Sequence, residues 1–169
     1  LWTPEEAKEA MIKLIPYVDV LIANEEDSEK VLGIKARDSN IVSGNLSREG
    51  YVEVAEKICK TYGVKAVGVT LRESISASDN IWSAMLFSDG RPYFSQKYKI
   101  HIVDRIGGGD SFAAGLIYGA EKGFDPKTQI EYAAAASCLK HTIEMDYNLA
   151  AADEILMLMK GDGSGRVQR

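Results

Sequence analysis

The chain has 169 residues, 46% hydrophobic and 27% charged, with a formal net charge of −5. That is enough apolar chain for a packed domain, and an acidic balance without a basic stripe argues against nucleic acid as a partner. No apolar run is long enough to span a bilayer as a helix, and the two cysteines, Cys59 and Cys138, each stand alone in an apolar helical setting, which points to a reducing cytoplasm rather than a disulfide or zinc framework. The chain opens on Leu1 with no signal-peptide pattern and reads as begun mid-protein. "TPEEAKEAMIKLI" predicts a helix, with Thr3 as N-cap, Pro4 at the first position, Glu6 closing a capping box, and Ala7, Met11 and Leu14 on its apolar face. Asp19–Asn24 predicts a strand buried on both faces, and "EEDSEKVLG" a short helix ended by Gly33. "SREGYVEVAEKICKTYG" predicts an amphipathic helix with Val52, Ala55, Ile58 and Cys59 inward and Gly63 as its cap. Lys65–Leu71 predicts a second strand buried on both faces.

From Ser74 to Ile102 the pattern changes to antiparallel strands, with Asp89-Gly90 as a turn. Trp82, Tyr93, Phe94 and Tyr98 are expected to pack these strands together. Helices follow over Asp110–Lys122, Lys127–His141 and Ala150–Lys160, and 161–169 is a polar tail. Helix alternating with apolar strand predicts an α/β domain with a mostly parallel sheet, which binds ligands at the carboxyl ends of its strands. Asn24, Thr70 and the 104–110 loop each follow a predicted strand end and are expected to converge on that edge.

The stretch "DRIGGGDSFAAGLIYG", from Asp104 to Gly119, carries the chemistry. Gly107, Gly108 and Gly109 leave no Cβ in the way of a ligand, and a helix begins among them, so their N–H groups and the helix dipole face the same anion. The spacing is neither the dinucleotide fingerprint nor a P-loop. A carboxylate beside an anion hole, here Asp110, suits phosphoryl transfer. The hole holds the transferring phosphate and the carboxylate takes the proton of the attacking hydroxyl.

"DRIGGGDSF" resembles the second signature of the ribokinase-like (PfkB) sugar kinases, D-T-x-G-A-G-D-x-F, with Arg105 at the Thr and Gly108 at the Ala. "NEEDSEKVLG", "VTLRES" with "NIWSAML", and "AAAASCLKHTIEMDYN" resemble further segments of that family, in the style of the branch that phosphorylates 2-keto-3-deoxygluconate; Met145 stands where a Gly is usual. The resemblance implies a three-layer ribokinase-like fold, represented here as a single partial domain over 1–169, the carboxy-terminal, nucleotide-binding half. The N-terminal part and its lid would be missing. It implies Asp110 as base, the amides of Gly107, Gly108 and Gly109 as anion hole, and Asp104 binding a sugar hydroxyl or bracing the loop. Thr70 and Arg72 would approach the ATP phosphates, His141 and Asn148 the adenine, and Asn24 and Asp27 would order magnesium through water. ATP and Mg2+ are the cofactors so implied, with a monovalent cation as a third candidate. The partners are a small sugar acid and ATP, with neither nucleic acid nor membrane. The parent is expected to be a cytoplasmic homo-oligomer, and the fragment alone to associate with itself. Another PfkB sugar kinase, of fructokinase or ribokinase type, and a non-catalytic nucleotide-binding module are the alternatives. Because the family carries Ala at the middle glycine, Gly108→Ala is expected to be mild.

Overall fold

A computed structural model describes residues 2–24, 28, 31–34 and 48–161. The helices are α1 (Pro4–Leu14), α2 (Arg48–Tyr62), α3 (Gly108–Glu121), α4 (Pro126–Lys140) and α5 (Ala152–Met159); the strands are β1 (Val20–Ile22), β2 (Ala66–Ser74), β3 (Asp79–Ser88), β4 (Arg91–Phe94) and β5 (Tyr98–His101). Contacts group the chain into two compact units, residues 1–73 with 85–93 and residues 74–84 with 94–169.

In the first unit, α1 starts as its capping box dictates: the Glu6 amide donates to the Thr3 hydroxyl at 3.3 Å and the Thr3 amide to the Glu6 carboxylate at 2.7 Å. The strands lie in the order β1, β2, β3, β4, with β3 contributing its second half. β1 runs parallel to β2, Leu21 opposite Val67. Asp89 and Gly90 both take positive φ, 53° and 71°, as the two-residue turn between β3 and β4 requires.

Three expectations change in this unit. β2 is buried on both faces through Val69, but β1 alternates, with Val20 47% and Ile22 41% exposed. Only one face of β1 is covered by described residues. The inward face of α2 is Tyr51, Val54, Ala55 and Ile58, with Val52 and Cys59 half-buried. The helix is rotated about its axis so that the ring of Tyr51 enters the core, where an aromatic removes the most apolar area from water. On α1 no residue is buried, and Leu14 is exposed. The short helix expected before Gly33 falls largely outside the described residues, although Gly33 itself is left-handed (φ 68°), as a helix stop should be.

In the second unit, the first half of β3 pairs antiparallel with β5, Asp79 opposite His101 and Trp82 opposite Tyr98. Trp82 and Tyr98 are buried and Phe94, the last residue of β4, is half-buried, while Tyr93, half-buried on β4, belongs to the first unit. Asp125 caps α4, its carboxylate accepting from the amides of Lys127 (3.0 Å) and Thr128 (3.2 Å). The α4 run Tyr132–Cys138 is buried all round. Small residues let α3 lie directly on it. A Cβ on Gly115 would sit 2.6 Å from the Cα of Ala133, and one on Gly119 2.8 Å from the Gln129 side chain.

Gly115→Ala should therefore force α3 and α4 apart and cost about 1–3 kcal/mol, the usual cost of overpacking. Urea denaturation would show this as a lowered midpoint, and an unchanged midpoint would mean the helices can separate freely.

Candidate active site

The loop after β5 turns into α3 at Gly107, whose φ of 78° only glycine adopts easily. A Cβ there would lie 2.1 Å from the backbone oxygen of Asp146. Gly108 is pinned from behind: the Ser137 hydroxyl donates to its carbonyl at 2.8 Å, and a Cβ would meet the His141 ring at 2.5 Å. Gly109 differs. It has a helical φ, it is exposed, and a Cβ would find nothing within 4 Å. Asp110 is exposed beside it in the same first turn. Neither the Gly109 nor the Asp110 amide has a hydrogen bond to a backbone oxygen among the described residues, as expected of the first turn of a helix.

Asp104 braces the loop. One carboxylate oxygen accepts from the Ile106 amide at 2.9 Å and the other from the Met145 amide at 3.1 Å. The bond to Ile106 holds the Asp104 carboxyl below the usual carboxylate range, helped by Met145 and by the charge of Lys140. Arg105 donates its guanidinium to the carbonyl of Ala77. Met145, at the position where glycine was expected, keeps glycine's conformation, with φ 68°.

A cavity of about 360 Å³ opens beside Asp110, walled by Ser111, Tyr118, Tyr132, Asp146 and Asn148 among others. The volume is at the lower end for small-molecule sites. Tyr118 and Tyr132 stack there at 4.8 Å between ring centres. Asn148 shapes the wall rather than presenting free donors, for its amide donates to the Ala136 carbonyl at 3.1 Å and its oxygen accepts from the Ala150 amide. His141 is not a lining residue. It is buried behind Gly108, its Nδ1 2.6 Å from the Ser137 oxygen and its ring 4.5 Å from that of Trp82. Burial pushes the nearby Cys138 thiol up to about 12, which leaves it unreactive at neutral pH.

The second unit thus brings together Asp104, Gly107, Gly108, Gly109, Asp110 and Asn148. His141 belongs to this unit too, behind the loop, and the remaining predicted residues belong to the first unit. Asn24 follows β1, its carbonyl accepting from the amide and hydroxyl of Ser28. Thr70 and Arg72 lie inside β2 rather than at its end, because the strand continues to Ser74; the chain leaves the core there, Thr70 half-buried and Arg72 exposed. Asp27 lies outside the described residues. Among the described residues no three His, Cys, Asp or Glu side chains are grouped to hold a metal, and no helix is long and apolar enough to cross a membrane. Sequence reasoning missed Ser137 and Lys140. Their one signal was a hydroxyl and an ammonium within the otherwise apolar stretch 132–140 of α4.

A family profile described as "pfkB family carbohydrate kinase" matches residues 1–144. The chain belongs to the pfkB family of carbohydrate kinases. Its structure superposes on a 2-dehydro-3-deoxygluconokinase of Thermotoga maritima with TM-score 0.89 and 55% identity, over 95% of this chain and 48% of that one. A curated 2-dehydro-3-deoxygalactonokinase of Haloferax volcanii is 27% identical over 165 residues, 98% of this chain and 45% of its own. A protein described as a Ribokinase II of E. coli, solved with ATP and Mg2+, shares the fold at TM-score 0.65 and 20% identity, over 93% of this chain and 44% of that one. The chain thus spans about half the length of these pfkB relatives. The fold is the ribokinase-like α/β fold expected.

Against the mild effect expected for Gly108→Ala stands His141, a buried ring that the added Cβ would approach to 2.5 Å. Gly108→Ala should destabilise the chain by about 1–3 kcal/mol. It should cost less in a His141→Ala background, and a double-mutant cycle on unfolding free energies would give a coupling of about 0.5–3 kcal/mol. Strict additivity would mean that the ring moves aside.

A second outcome concerns acid. A carboxyl depressed in the folded state contributes stability above its unfolded pKa of about 4, lost as pH falls through the folded value. Asp104→Asn should therefore lower stability at neutral pH and flatten the acid branch of the stability curve below about pH 4. An acid branch parallel to that of the parent would remove Asp104 as a brace.

Proposed function

We propose that this chain supplies the phosphate-binding and proton-accepting part of an ATP-dependent sugar-acid kinase acting on the primary hydroxyl of 2-keto-3-deoxygluconate. The observation that carries the reading is Gly109. Gly107 and Gly108 are glycines for reasons inside the chain, but no described residue lies where a Cβ on Gly109 would go. Its bare surface faces outward next to a carboxylate and at a helix N-terminus, where backbone N–H groups and the dipole favour an anion. The likeness to the Thermotoga kinase, at more than half identity, supports the substrate class.

The amides at the start of α3 hold the transferring phosphoryl group as its charge spreads over the equatorial oxygens. Asp110 accepts the proton of the sugar hydroxyl as its oxygen bonds to phosphorus and the bond to ADP breaks. Asp104 keeps the loop in place through Ile106 and Met145. The cavity walled by Tyr118, Tyr132 and Asn148 takes the nucleoside. Magnesium, when bound, neutralises the nucleotide phosphates, and Asn24 with Asp27 are its candidate ligands through water. Thr70 and Arg72 approach the phosphates. The setting is the cytoplasm, and the protein works as a homo-oligomer.

The test is a pair of variants of the protein expressed from its complete reading frame. Gly109→Ala should leave stability unchanged or raise it by up to about 1 kcal/mol, while cutting phosphorylation of 2-keto-3-deoxygluconate. Asp110→Asn should keep the fold and ATP binding and lose about 100-fold in turnover. Parent-like turnover in both variants would remove Gly109 and Asp110 from the chemistry, a parent that binds ATP and phosphorylates no sugar would leave a nucleotide-binding module, and a preference for ribose or fructose across a sugar panel would move the chain to another branch.

A further inference from the structure

Lys140 is the last residue of α4 and is fully buried. A lysine at a helix end ordinarily reaches for water, and burying an ammonium is costly unless it is paired. Here its Nζ donates to the carbonyl of Ile143 at 3.0 Å. Its Cε lies 3.2 Å from where a Cβ on Gly107 would be. Its charge acts on the carboxylate of Asp104, which in turn holds the amides of Ile106 and Met145. Three segments therefore meet around one ammonium: the 104–107 loop, the end of α4 and the 143–146 turn.

We infer that Lys140 is a positioning residue, an internal ammonium that fixes the glycine loop from behind as a bound monovalent cation would. The inference rests on the kinase reading for its effect on turnover, but its structural content stands without that reading. A positive charge placed there favours the ionised Asp104 that ties the loop to the turn. It also adds positive potential under the helix start that receives the phosphate. Because the charge is tethered to α4, the protein needs no free monovalent ion to hold this junction together.

The distinguishing property is that a charge can be replaced from solution, whereas lost packing cannot. Lys140→Met fills the same space without charge, and removing a buried charge need not harm stability. It should keep its unfolding midpoint and lose about tenfold to 100-fold in kcat, as small displacements of a catalytic loop do, with KM for the sugar little changed. Lys140→Ala leaves room, and millimolar ammonium, methylammonium or potassium should restore its turnover, while the parent protein does not respond to these ions. Hydrogen exchange at the amides of Ile106 and Met145 gives a readout free of activity, faster in both variants and slowed in Lys140→Ala by the same ions.

If Lys140→Met does not fold, rescue of Lys140→Ala decides. Parent-like kcat and exchange in Lys140→Met, Lys140→Ala exchange that no cation slows, or a parent enzyme activated severalfold by potassium would each overturn the inference. A parent inactive on every sugar acid would sink the kinase reading alone, since the exchange measurement would still show whether Lys140 holds the loop.

Discussion

The start of α3 lies against the end of α4 with room for hydrogen and little else. The carbonyl of Asp146 blocks any side chain on Gly107, and the ring of His141 blocks one on Gly108. The rest of the candidate site follows from this contact. It places the first turn of α3, with its outward amides and Asp110, at the rim of the cavity walled by Tyr118, Tyr132 and Asn148. It also brings Ser137 within a hydrogen bond of the Gly108 carbonyl. Along the rest of the pair, Gly115 over Ala133 continues the same close approach, so the loop is held by a helix interface and not by its own stiffness.

Three consecutive glycines thus serve different constraints. Gly107 answers to backbone conformation, Gly108 to a buried imidazole, and Gly109 to nothing among the described residues. The pairing of Gly108 with His141 also gives a physical account of why glycine stands where the family signature carries alanine: here the ring occupies the space that a methyl group would need. Met145 shows the reverse trade. It adopts a left-handed conformation that costs a non-glycine residue about 1–2 kcal/mol, and its amide is held there by Asp104. That one carboxylate ties down both a strained turn and the loop that leads into α3.

Three charged side chains of this unit stand at junctions. Asp125 starts α4, Asp104 joins loop to turn, and Lys140 ends α4 inside the protein. Polar groups in such places cost desolvation and return definition of geometry.

What the sequence determined by itself is local. The capping box of Thr3 and Glu6, the Asp89-Gly90 turn and the left-handed stop at Gly63 all depend on residues a few positions apart, and each is where the pattern put it. The glycine motif was legible for the same reason, since backbone freedom, helix start and carboxylate are contiguous. Which face of β1 is covered, which side of α2 turns inward and where β2 ends were decided by packing between segments far apart in the chain. So was the place of His141, expected beside a nucleotide and found buried behind Gly108. A histidine four residues after Ser137 carries no mark of which loop will lie against it. Only when α3 is laid on α4 do the missing side chains of one helix become the space filled by the other.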